Sequence, residues 1–210
     1  MDKQASFASI ISVKNIHSGR RMLIFTIYKH PYIHQSEILN FYTMEIRSVK
    51  AFIEYYERIR SRTNRLIEII PRDKLDFTYK QGKFTIGDQI RHIATIERYM
   101  YGETISGRKS AYQGCGKEFA DGYENVVAFF NEMHRQTIEI ISGLSDEDLN
   151  RKCITPGNSE ISIWKWLRAM IEHEIHHRAE IYIYLNLLDV KTPQIFGFSA
   201  EEVQEMSVKL

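Results

Sequence analysis

The residues that invite chemistry are histidines placed where a helix should be apolar. Along residues 162–188 an apolar stripe recurs at spacings of three and four: Ile163, Leu167, Met170, Ile181, Tyr184 and Leu188, with His173, Glu174 and His177 in its middle. His173 and His177 are four apart, so in a helix their rings stack on one face, and two imidazoles so placed can grip one metal ion. A second stripe, Ile86, Ile90, Ile93, Glu97 and Met100, carries His92 at its edge. Three imidazoles from two helices, meeting across a helical core, leave coordination positions open for a substrate. Imidazole suits Zn, Ni, Cu or Fe alike.

Glu97 needs a partner, because burying an unpaired carboxylate costs several kcal/mol. One is the outer nitrogen of a ligand imidazole, which Glu97 would orient from behind the metal; the other is Arg91 or a cation from another helix. Glu174 is placed to pair with Arg178 at i,i+4 on the surface. His176 points about 100° away from His177 and reads as outer-shell or surface, and His134 as a surface residue.

The elements that must position these side chains are helices. The first spans about 46–70 and stops at Pro71. The second opens at the capping box Thr85-Ile-Gly-Asp88 and runs to about Met100. The third covers about 123–144 and the fourth about 162–188, and a short last helix opens at Ser199-Ala-Glu-Glu202. Strand signals are weak; Phe77–Tyr79 is expected to pair with Lys83–Thr85 across Gln81-Gly82. The expected fold class is all-α, a four-helix bundle.

Composition sets limits. The chain has 210 residues, 43% hydrophobic and 26% charged, enough for one sizeable core. Residues 1–43 hold seven of the 55 charged side chains and no sustained period. They are read as an N-terminal extension, poorly ordered or loosely docked, with the folded domain over 44–210. A net charge of +1 offers no field for a phosphate backbone, so no nucleic-acid partner is expected. No apolar run reaches the roughly 18 residues of a membrane span, so no membrane partner is expected either. Cys115 and Cys153 form no disulfide framework, which fits a cytoplasmic protein.

His173-Glu-Ile-His-His177-Arg-Ala-Glu-Ile-Tyr, Thr85-Ile-Gly-Asp-Gln-Ile-Arg-His92 and Pro193-Gln-Ile-Phe-Gly-Phe together resemble the DinB-like (YfiT-like) metal-dependent superfamily over about residues 44–205. The resemblance implies a bundle of up-down-down-up topology, often a homodimer. It also implies one divalent ion, typically Ni or Zn, on His92, His173 and His177. The usual Arg-Gly-Gln after the last ligand is here Arg178-Ala179-Glu180, which alters the pocket surface and leaves the triad intact. Family activities include transfer to low-molecular-weight thiols such as bacillithiol, mycothiol or glutathione. The leading expectation is therefore a metal-dependent S-transferase, in which a small cellular thiol loses its proton beside the cation and attacks an electrophile. The alternatives are a metal-dependent hydrolase and a non-enzymatic, stress-associated metal-binding module.

Overall fold

The computed structural model describes residues 45–208; the expected extension over residues 1–43 lies outside them. Helix α1 (Val49–Ile67) starts where the Ser48 hydroxyl accepts the Ala51 N–H. It ends three residues earlier than expected, in a turn closed by Ile70 N–H to Ile67 C=O ahead of Pro71. Helix α2 (Ile86–Thr95) has the anticipated capping box: Asp88 N–H donates to the Thr85 hydroxyl and Thr85 N–H to the Asp88 carboxylate.

The expected hairpin over residues 77–85 is a correction. The Leu75 and Phe77 carbonyls accept the Gly87 and Ile86 N–H groups, so this backbone satisfies the orphan donors at the start of α2 instead of pairing with itself. Gly87 permits that approach, since a Cβ there would stand 2.9 Å from Leu75 Cγ. A two-stranded antiparallel sheet forms elsewhere, between β1 (Lys152–Ile154) and β2 (Glu160–Ser162), with Cys153 opposite Ile161.

Helix α2 does not stop at Met100. It widens into a π-helical segment, Ile96–Gly102, and closes with one α turn, Glu103–Ile105. Ile93, Glu97, Tyr101 and Ile105 are all buried, four residues apart. An α-helix would rotate that series off the core, and the wider turn absorbs the drift. Tyr101 thus takes the core position assigned to Met100.

Helices α3 (Tyr123–Ser142), α4 (Ile163–Leu187) and the terminal α5 (Ala200–Val208) complete the series. Side-chain contacts along the bundle fix its directions. Arg91 reaches Ala120, Glu97 reaches His134 and Arg98 reaches Gln136, so α2 and α3 run parallel. Gln89 meets His177, His92 meets His173 and Thr104 meets Trp166, so α2 and α4 run antiparallel. Val49, Phe52 and Tyr56 share a core cluster with Leu167 and Met170, while Leu66 and Ile67 share the other with Ile181 and Leu185, so α1 runs parallel to α4. The bundle is all-α and up-down-down-up. α2 packs on α3 and α4, as does α1 from the other side, which leaves α1 diagonal to α2 and α3 diagonal to α4.

Candidate metal centre

The antiparallel crossing of α2 and α4 brings His92, His173 and His177 together. One ring nitrogen from each lies within 4.8 Å of the others. The ring centroids are 5.0 Å (His92–His173), 4.7 Å (His92–His177) and 4.5 Å (His173–His177) apart. His92 and His173 aim their Nε2 atoms at each other across 3.2 Å. Two imidazoles on one tetrahedral ion, with metal–nitrogen bonds of about 2.0–2.1 Å, hold their nitrogens about 3.3 Å apart. The donor set therefore fits a divalent cation of the first transition row.

The outer nitrogens of His177 and His92 are held as well. His177 Nδ1 lies 2.5 Å from Gln89 Oε1 and 2.7 Å from Glu180 Oε2. Both are acceptors, so Nδ1 carries the proton and Nε2 keeps its lone pair for a metal. His92 Nδ1 is 2.9 Å from the Tyr112 hydroxyl, and Phe84 packs its ring 5.2 Å from the His92 ring. Burial, reinforced by the neighbouring His177, pushes His92 down to about 4. Burial, then His177, His92 and His176, pushes His173 down to about 3. Burial also lowers His177, against the opposing pull of Glu180. All three imidazoles are thereby neutral ligands near pH 7.

Glu97 is not part of this centre. It is buried at 2% exposure, takes a hydrogen bond from Arg60 Nη2, and its Oε1 lies 2.7 Å from His134 Nδ1. The cation of another helix, rather than a ligand imidazole, neutralises it, because the π-helical turn aims it at α1 and α3. His134 is accordingly buried, which corrects its reading as a surface residue. Glu174 is likewise buried, at 1% exposure. Its Oε1 accepts the Thr63 hydroxyl at 2.6 Å, and its Oε2 lies 3.1 Å from Arg60 Nη2. The expected surface pair with Arg178 gives way to this interior cluster, since Glu174 lies about 60–100° round α4 from the two histidines, on the face that meets Thr63 and Arg60 of α1. His176 is exposed, as read.

Sequence reasoning placed Glu180 near the site as an added charge but assigned neither it nor Gln89 and Tyr112 to holding the imidazoles from behind. Gln89 and Glu180 stand three residues before His92 and three after His177, spacings that put each on its neighbour's face. Tyr112 comes from the long connection between α2 and α3 and had no periodic signal.

A family model for the DinB superfamily matches residues 55–181, from α1 through the triad. The chain belongs to the DinB superfamily. Among its relatives, a protein of Oceanobacillus iheyensis named as a candidate metal-dependent hydrolase is 23% identical over 146 residues, covering 63% of this chain and 84% of its own. Solved DinB-like proteins share the fold. One from Bacillus cereus superposes with a TM-score of 0.58 at 16% identity, covering 70% of this chain and 97% of its own. YfiT from Bacillus subtilis, described as a probable metal-dependent hydrolase with an unusual four-helix bundle topology, gives 0.53 at 16% identity over 80% and 97%. Here the bundle places α1 diagonal to α2 and α3 diagonal to α4.

Proposed function

We propose that this DinB-superfamily chain is a divalent-metal-dependent hydrolase of small molecules, with His92, His173 and His177 as its metal ligands. The observation that carries the reading is the convergence of three imidazoles, two of which, His92 and His177, have their outer nitrogens already engaged by Tyr112, Gln89 and Glu180. A centre that only needed to staple helices would close its coordination with a fourth side chain; a three-nitrogen set keeps an open position. The names of the Oceanobacillus protein and of YfiT support hydrolysis. A divalent ion there supplies Lewis acidity that lowers the pKa of a protic ligand.

The chain's own residues hold that chemistry in place. Gln89 and Glu180 fix the His177 tautomer and strengthen its donor nitrogen. Tyr112 fixes the His92 ring, and Phe84 walls the same side. Glu180 is half-buried and adds a carboxylate at the edge of the centre, where it offsets the charge of a bound cation.

The test uses protein purified without nickel affinity. Elemental analysis is expected to find one divalent ion per chain in the wild type and almost none in His173→Ala. Cleavage of small esters or amides is expected to vanish with chelator and return with metal. Turnover of bacillithiol or glutathione with an electrophile, in the absence of any hydrolysis, would move the reading to thiol S-transfer. Bound metal with neither activity would leave a metal-binding module.

A further inference from the structure

Beyond the triad, the connection that follows α2 leads to a second concavity. A cavity of about 720 Å³ lies where residues 104–110 face the β1–β2 hairpin. Its floor includes Thr104 and Cys153, both buried, and Ser110 and Thr155 add hydroxyls. Its rim carries Arg108, Lys109 and Lys152, and no carboxylate lines it. Glu103 takes the Arg108 guanidinium through Nε and Nη2. Lys152 Nζ donates to the Ser162 hydroxyl at 2.9 Å. Among the described residues neither Lys109 nor Lys152 has a carboxylate partner. A near-neutral molecule thus places uncompensated positive charge around a recess lined with hydroxyls, an arrangement that favours an anion.

Two relays of contacts lead from the recess toward the triad. The Thr104 hydroxyl accepts the Trp166 indole N–H at 2.8 Å; the Trp166 ring lies 4.6 Å from Tyr101, and Tyr101 lies 6.3 Å from the His173 ring. Trp166, Ala169 and His173 form a half-buried stripe down α4 at helical spacing. On the other wall, Ser110 precedes by two residues the Tyr112 whose hydroxyl meets His92. At a few ångströms of reach per residue, the recess lies on the order of 10–15 Å from the triad.

We propose that this recess is a substrate subsite that anchors a carboxylate or phosphate group while the bond to be cleaved reaches the histidine triad. The link to cleavage rests on the hydrolase reading; the anion site rests on the recess alone. Lys109 and Lys152 supply the charge, and Ser110 and Thr155 supply hydrogen bonds to the oxygens.

Calorimetric titration of the full chain with inorganic phosphate and, separately, with glutarate tests the site. Wild-type protein is expected to bind at least one of them saturably, and the tighter of the two identifies the group. Lys109→Glu/Lys152→Glu is expected to weaken binding by about tenfold or more, the scale of one lost charge-assisted hydrogen bond. His173→Ala is expected to bind as the wild type does, which separates the recess from an ion at the triad. Equal binding by wild type and the double-lysine variant, or loss of binding in His173→Ala alone, overturns the proposal. Both lysines are exposed, and circular dichroism of the double variant, with Lys109→Met/Lys152→Met as a milder pair, checks the fold. Where an ester is cleaved, the double variant is expected to raise KM about tenfold for an acidic ester, leaving kcat and the KM of a neutral ester nearly unchanged. Failure of hydrolysis with lysine-dependent anion binding intact would retire the hydrolase reading and leave the anion site standing.

Discussion

His177 shows at a single residue how the centre is held. It is buried, its Nδ1 faces two oxygens at 2.5 and 2.7 Å, and its Nε2 keeps its lone pair for a metal. Gln89 and Glu180 therefore matter through the metal they help hold, without touching it. Gln89→Ala is expected to weaken metal affinity by about 10–100-fold, the usual cost of losing a hydrogen bond behind a ligand imidazole. Tyr112→Phe removes the oxygen beside His92 and belongs at the lower end of that range, because Tyr112 is only half-buried. Competition titration against a chromophoric chelator reads both. An affinity unchanged in both variants would mean that these contacts do not orient the ligands.

At the scale of elements, the bundle is joined by a buried charge cluster as well as by apolar packing. Arg60 of α1 meets Glu97 of the π-helical segment and Glu174 of α4, with the Phe130 ring 4.0 Å from its guanidinium carbon. Removing one member leaves the others charged and dry. Arg60→Ala is expected to cost about 3–5 kcal/mol in urea unfolding, more than truncation of a single aliphatic core side chain often does. A second element-level contact is Glu103, in the last turn before the basic recess. The Arg108 hydrogen bond, opposed by burial and aided by Arg98, holds its carboxyl down to about 2. A folded-state pKa below the unfolded one contributes stability that is complete above about pH 4.5 and is lost as pH falls toward 2. Because Arg108 is half-exposed, the contribution is about 1–2 kcal/mol. Glu103→Gln should flatten the acid limb of the stability curve by that amount, measured by urea midpoints between pH 5 and 2. An unchanged acid limb would show that the contact is worth nothing in solution. The same elements show what was legible in the sequence. The four helices and the three histidines were, because a 3.6-residue period and an i,i+4 pair need nothing from the rest of the chain. The destination of Glu97 was not, since the π-helical turn that redirects it follows from the packing of α2 on α3. The β1–β2 hairpin has a local turn sequence in Thr155-Pro156-Gly157-Asn158 that the sequence reading passed over, while the hairpin expected at 77–85 gives way because the start of α2 takes the Leu75 and Phe77 carbonyls.

For the molecule as a whole, the placement of the metal relative to the core decides what chelation does. Two apolar clusters fill the two halves of the bundle, and each draws on α1, α3, α4 and either α2 or its π-helical continuation. The triad draws only on α2 and α4, at the margin of those clusters. An ion present at about a thousand times its dissociation constant stabilises the folded state by about 4 kcal/mol. For a folded unit of this size, each kcal/mol shifts Tm by about 2–4 °C. Chelation is therefore expected to lower Tm by about 10 °C and to leave the helical circular dichroism at 25 °C intact. His173→Ala should reproduce that lower Tm and show no further response to chelator, because it has no ion to lose. A wild-type protein that unfolds at 25 °C once its metal is stripped would assign the ion to folding, as in small domains that have no core of their own. The shared burial of Leu66, Ile90, Phe130 and Ile181 from four helices argues for survival: a bundle that already holds its strands of chain together through apolar contact can keep a three-ligand ion for chemistry.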